Sequence, residues 1–138
     1  MIVQTGKGFD LNIPLRKLAG ARSAAKNDIG RMAVNHFKGN FRAQGFVDNS
    51  VDPWKARKEK SKKKTSRGIL IQSGNLRRSI QVLGMPGNRV IVGTRGMKYA
   101  KRHNEGLKMP KRQFIGNSKQ LEGKALKSIQ RIFKKIWA

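Results

Sequence analysis

The chain has 138 residues, 37% hydrophobic and 28% charged, and its 32 Lys and Arg outweigh seven Asp and Glu to give a formal charge of +25. That length suits one domain with one modest core, and the absence of Cys excludes disulfides, thiolate zinc sites and cysteine nucleophiles. A soluble domain typically carries a net charge of only about 2–8 in magnitude, so this excess points to a polyanionic partner: nucleic acid, acidic protein or anionic lipid.

Residues 1–12 read as a short polar arm containing Gly6 and Gly8. The opening MIVQTGKGFDLNIP lacks the apolar core of a signal peptide, and no apolar run approaches a membrane span, so a soluble protein made inside a cell is expected. Pro14 suits the first turn of a helix. From Leu15, the apolar residues Leu18, Ala21, Ala25, Ile29, Met32, Ala33, Phe37 and Phe41 recur in steps of three and four, which describes one helical stripe ending before Gly45. Gly20 and Gly30 each disfavour the helix by about 1 kcal/mol, or else they let another backbone approach.

Residues 46–54, FVDNSVDPW, read as a turn-rich connection landing on Trp54. The next stretch, 55–68, carries Lys55, Arg57, Lys58, Lys60, Lys62, Lys63, Lys64 and Arg67 against the single acid Glu59. It has no apolar period and repels itself, so a mobile basic loop is expected. Period two then takes over. Ile69-Leu70-Ile71 reads as a short strand, residues 73–78 as a turn or single helical turn, and 79–83 as a strand with Ile80 and Val82 on one face. Met85-Pro86-Gly87-Asn88 places Pro and Gly as a type II turn wants them, and residues 89–93 return as the partner strand. Met97 to Glu105 suits a short helix stopped by Gly106. Asn117 is a candidate N-cap with Gln120 at the capping-box position. The last helix carries Leu121, Ala125, Ile129, Ile132, Phe133 and Ile136 on one side and lysines around most of the rest. The order predicts an α+β domain, 1–138, with a small antiparallel sheet of about three or four strands packed by a long N-terminal helix and a C-terminal helix.

Chemistry is sparse. No G-x-S-x-G elbow or Walker lysine motif is present. The two histidines, His36 and His103, lack further ligands at metal-site spacing and read as structural residues. The best enzymatic candidate is a nuclease using Asp48, Asp52 and Glu59 with Lys60 or Lys62. Two-metal chemistry needs carboxylates on rigid elements that hold ions about 4 Å apart, whereas these lie on a turn and in a charge run. No catalytic residue, metal or cofactor is therefore expected. The basic run contains no interleaved aromatics and no helix carries a groove-reading fingerprint, so any DNA contact would be through phosphates and independent of sequence. The terminal helix has an apolar stripe only as wide as core packing requires, so no membrane partner is expected.

Three segments together carry a resemblance. They are Asp52-Pro53-Trp54-Lys55 followed by the basic stretch, then Leu70 to Ile80 (LIQSGNLRRSI), and then Val92-Gly93-Thr94, Tyr99-Ala100, His103-Asn104-Glu105-Gly106, Pro110, Arg112 and Phe114-Ile115-Gly116. In this order they resemble the phage virion morphogenesis family, the tail-completion proteins of Mu-like and related contractile-tailed phages. That family's pattern is a tryptophan after the first helix, S/T-G-x-L-R-x-S-I, a strand ending G-T, Y-A-x-x-H-x-x-G, and R-x-F-[IL]-G before a C-terminal helix. The resemblance covers about residues 30–137. It implies a structural protein of the virion neck, made in the bacterial host cytoplasm and added late as an oligomeric, hexameric ring at the head–tail junction. There it would join a finished tail to a DNA-filled head. The implied partners are neighbouring neck, tail-terminator or connector proteins, with non-specific contact to phage DNA. Trp54, Gly74, Leu76, Arg77, Tyr99, His103, Gly106, Arg112 and Phe114 are then mainly structural, and the basic loop is the candidate contact surface. The run at 57–64 is richer in lysine than the pattern requires. The alternative from another class is a basic, sequence-independent nucleic-acid-binding protein.

Overall fold

In the computed structural model, which describes residues 12–56, 70 and 74–136, the N-terminal stripe forms helix α1, Asn12–Ala43. Its buried face begins at Ala21 and continues through Ala25, Ala33, Phe37 and Phe41, while Leu15 is 59% exposed and Leu18 is exposed as well. Gln44, with φ +55, turns the chain out of the helix. Strand β1, Gly45–Val47, then pairs antiparallel with β2, Val51–Pro53, with Phe46 opposite Asp52. The segment read from sequence as a turn-rich connection is thus a hairpin. Three-residue strands are too short for alternation to declare them.

Leu70, the one described residue of the strand expected at 69–71, lies in a turn with φ +64; Ile69 and Ile71 lie outside the described residues. The single helical turn α2, Asn75–Arg78, follows Gly74. Strand β3, Ile80–Gly84, pairs antiparallel with β4, Ile91–Thr94, with an irregularity between Val82 and Gly84. The bond closing their turn runs from Arg89 N–H to the Pro86 carbonyl at 2.9 Å. Gly87, with φ +54, therefore occupies the first central position and not the second. A positive φ there belongs to the primed turns, whose twist matches that of the strands they join, so the expected type II turn gives way.

Helix α3, Ala100–Glu105, starts three residues later than expected, and helix α4 spans Lys119–Ile136. The class is α+β as expected, and among the described residues the strands are divided between two antiparallel hairpins instead of one sheet. Helix α1 is the common support, packing against α4 and both hairpins. At Gly30 the β3–β4 hairpin approaches α1 closely, since a Cβ there would lie 3.0 Å from the Val82 side chain. Gly20 has nothing within 4 Å, so its helix cost is not offset by such an approach.

The core joins residues distant in sequence: Ala33, Phe37 and Phe41 from α1, then Trp54, Leu76, Ile80, Ala100 and Phe114. Phe41 sits at its centre. The Trp54 ring meets Phe41 edge-on at 5.4 Å, and the Phe114 ring lies 5.4 Å away on a tilt. Edge and tilted packing of this kind adds to the burial of three large rings.

Candidate functional site

The motif residues converge on residues 112–116, a segment without regular structure that crosses the core. Such a segment must find partners for its backbone groups outside any ladder. Asn40, on the buried face of α1, donates from Nδ2 to the Phe114 carbonyl at 2.9 Å, and its Oδ1 accepts the Val47 N–H at 3.1 Å. From the other side, Asn104 Oδ1 accepts the N–H groups of Phe114 and Ile115 at 2.9 and 3.0 Å. Trp54 Nε1 donates to the Gln113 carbonyl at 2.8 Å, and the Arg112 guanidinium forks onto the Lys55 carbonyl at 3.1 and 3.0 Å. The residues after β2 are thereby fastened to those before α4 across the base of the basic run.

Other motif residues lie around this clasp. Leu76 is buried, Arg77 is half-buried beside it on α2, and Gly74 supplies the left-handed φ of +71 that opens that turn. Gly106 ends α3 with φ +73, and its N–H reaches the Arg102 carbonyl at 2.9 Å. Tyr99 is 41% exposed and meets His103 edge-on at 5.8 Å, while Ala100, the first residue of α3, is buried in the core.

His103 Nδ1 is buried without a hydrogen-bond partner. Burial, reinforced by the Arg112 charge, lowers the pKa of this imidazole below its ordinary value of 6.5. Between that lowered value and 6.5 the unfolded chain holds the proton more tightly than the folded one. Stability is therefore complete above about pH 6.5 and falls as pH drops through this window. The denaturant midpoint is expected to fall between about pH 7.5 and 5.5, and His103→Gln to flatten that fall. An identical slope in the variant would show that another group is responsible. Asp28, whose carboxyl is lowered by its hydrogen bonds from Ser128 and Arg31, titrates below its ordinary 3.8 and so lies outside the window.

Asp48 and Asp52, weighed as nuclease carboxylates, have different surroundings. Asp48 Oδ1 accepts the Lys119 N–H at 2.6 Å and so caps α4, while Asp52 sits on exposed β2. Glu59 lies outside the described residues. Among the described residues, no group of three or more His, Asp or Glu could hold a metal ion. The N-cap of α4 is Ser118 and not Asn117. Its buried hydroxyl accepts the Leu121 N–H at 3.3 Å and donates to the Val47 carbonyl at 2.8 Å, so β1 fixes where the helix begins. His36, buried on α1, places Nε2 3.0 Å from the same carbonyl.

Sequence reasoning passed over Asn40 and the Asp28–Ser128 pair, and it named Asn104 within its motif segment without giving it a role. Ser128 donates to Asp28 where α1 meets α4, and Arg131 reaches the same carboxylate at 3.3 Å. The available signal was a polar residue on an apolar stripe, as with Asn40 between Phe37 and Phe41, or Ser128 between Ala125 and Ile132. Of the basic-loop candidates, Lys55 is exposed and offers its carbonyl to Arg112. Arg57, Lys58, Lys60, Lys62, Lys63, Lys64 and Arg67 lie outside the described residues.

No helix among the described residues is long and apolar enough to cross a membrane. No curated protein and no solved structure matches the chain. The family model that does match covers residues 10–134, from the start of α1 through nearly all of α4 and including every motif residue above, and by that extent the chain belongs to the phage virion morphogenesis family.

Proposed function

We propose that this chain is a structural tail-completion protein that forms a hexameric ring at the head–tail junction and joins the tail to the DNA-filled head. The observation that carries this reading is the family match over residues 10–134. The arrangement of the motif residues supports it, because Trp54, Leu76 and Phe114 are spent on the core and leave a strongly basic exterior for contact. The mechanism is adhesion by many copies around the axial channel. Lys55 and the basic residues that follow it would face acidic surfaces of neighbouring neck, connector or tail-terminator proteins, or the phosphates of DNA in the channel.

Deletion of the gene tests the reading directly. A completion protein acts after heads and tails are built, so particles made without it should accumulate as filled heads and normal-length tails that fail to join. Purified protein added to such an extract should restore joined particles. Failure of heads or tail tubes to form would make it a scaffold or tube component, and the reading would be wrong.

A further inference from the structure

Between α1, the start of β4 and α4 lies a cleft of about 390 Å³, open on one side, whose walls include Ile29, Ala33, Val90, Val92, Leu121 and Ala125. On α4 the apolar surface continues into solvent at Leu126 and Ile129, both exposed. We infer that this groove docks an acidic segment of a neighbouring assembly protein, one that presents a row of apolar side chains.

The chemistry of the walls and the charge of the chain select that occupant. A volume near the lower end of the range for binding pockets, about 300–1,000 Å³, holds a few apolar side chains, which is how buried anchors at the centre of an interface are seated. Duplex DNA presents phosphates, which would engage exposed Lys and Arg and leave an apolar groove unfilled. A second copy in this groove would set further Lys and Arg beside Arg89, Lys119 and Lys124 within a Debye length of about 8 Å, so the ring proposed above would close through other surfaces. A partner with acidic residues flanking its apolar face meets neither obstacle. Arg89, exposed, immediately precedes Val90. Lys26 anchors on the Met85 carbonyl at 2.6 Å, close to where Val90 approaches Gly30, and Lys119 and Lys124 are exposed on α4. Glu122 is the one acidic residue in the lining. The inference rests on the assembly reading above, since a joining protein must offer such a surface to a neighbour.

The test uses the full chain and a fluorescent helical peptide with Leu at i, i+3, i+4 and i+7 and Glu elsewhere, the pattern of a helix laid in a groove. At about 150 mM salt this peptide should bind at least about tenfold more tightly than a scrambled peptide of the same composition. Ala125→Trp, which fills the groove, should remove that advantage. Arg89→Glu, on an exposed turn, should weaken binding without lowering the melting temperature and keeps the test informative if Ala125→Trp disturbs folding. Equal binding of the scrambled peptide would overturn the inference, because charge alone would then suffice. So would a loss of duplex-DNA binding in Ala125→Trp as large as the loss of peptide binding, or dissolution of a native oligomer by that variant, which would assign the groove to a second copy. An indifferent peptide together with unjoined heads and tails in the deletion would refute the groove alone. Joined particles without the protein would refute the completion reading alone.

Discussion

Phe114→Ala is expected to destabilise the fold by about 3–5 kcal/mol, the range for truncating a large aromatic side chain in a well-packed core. Against a total stability of about 5–15 kcal/mol, such a loss leaves a marginal domain. The size of the effect follows from placement. Phe114 is 1% exposed, its ring packs against Phe41, and it lies in an irregular segment, so no ladder holds the backbone once the side chain is cut back. Tyr99→Ala is the informative contrast. The resemblance sets Tyr99 beside Trp54, Leu76 and Phe114 as a mainly structural residue, yet it is 41% exposed and its ring contact is with His103. It should cost less than about 1 kcal/mol, near the small effects usual for surface positions. Denaturant melts of the two variants decide the point. Equal losses would mean that Tyr99 is held in the core in solution.

Helical periodicity made α1 and α4 legible because each extends over many turns, so that the stripe from Ala21 to Phe41 repeats often enough to be seen. The stripe overshot at Leu15 and Leu18, since periodicity shows which residues share a face and not how far a partner covers it. The hairpin of β1 and β2 stayed hidden because its strands are three residues long. Its position is fixed by contacts that no local pattern encodes, chiefly Ser118 and His36 on the Val47 carbonyl. The same holds for the cap of α4. Asn117 and Ser118 are both good cap residues, and the choice falls to Ser118 because its hydroxyl also satisfies β1. The motif showed that Trp54, Leu76 and Phe114 belong as a set, but it could not say that the task of pinning residues 112–116 falls to Trp54 together with Asn40 and Asn104.

Asn40 exposes that task most directly. It is fully buried, and its amide bridges two segments, donating a hydrogen bond to the Phe114 carbonyl and accepting one from the Val47 N–H. Asn40→Ala removes both partners at once and leaves a carbonyl and an N–H to be desolvated without a bond. Each such group costs about 1–3 kcal/mol, so for the two a loss of roughly 2–6 kcal/mol is expected. Asn40→Asp separates the two bonds. An ionised carboxylate still accepts from Val47 but turns an oxygen toward the Phe114 carbonyl, and it carries a buried charge; a protonated one can donate as the amide did. Its folded pKa should therefore rise above the ordinary carboxyl value of about 3.9. The penalty is then smallest below that value and grows as pH rises through the folded pKa. Measured against the native chain at each pH, Asn40→Asp should be severely destabilised near neutrality and recover on acidification, whereas Asn40→Ala should show no such recovery. If Asn40→Ala stays within about 0.5 kcal/mol of the native chain, the clasp on residues 112–116 does not depend on this side chain, and the segment is held by the aromatic contacts of Phe41, Trp54 and Phe114 together with the bonds made by Asn104 and the Trp54 indole.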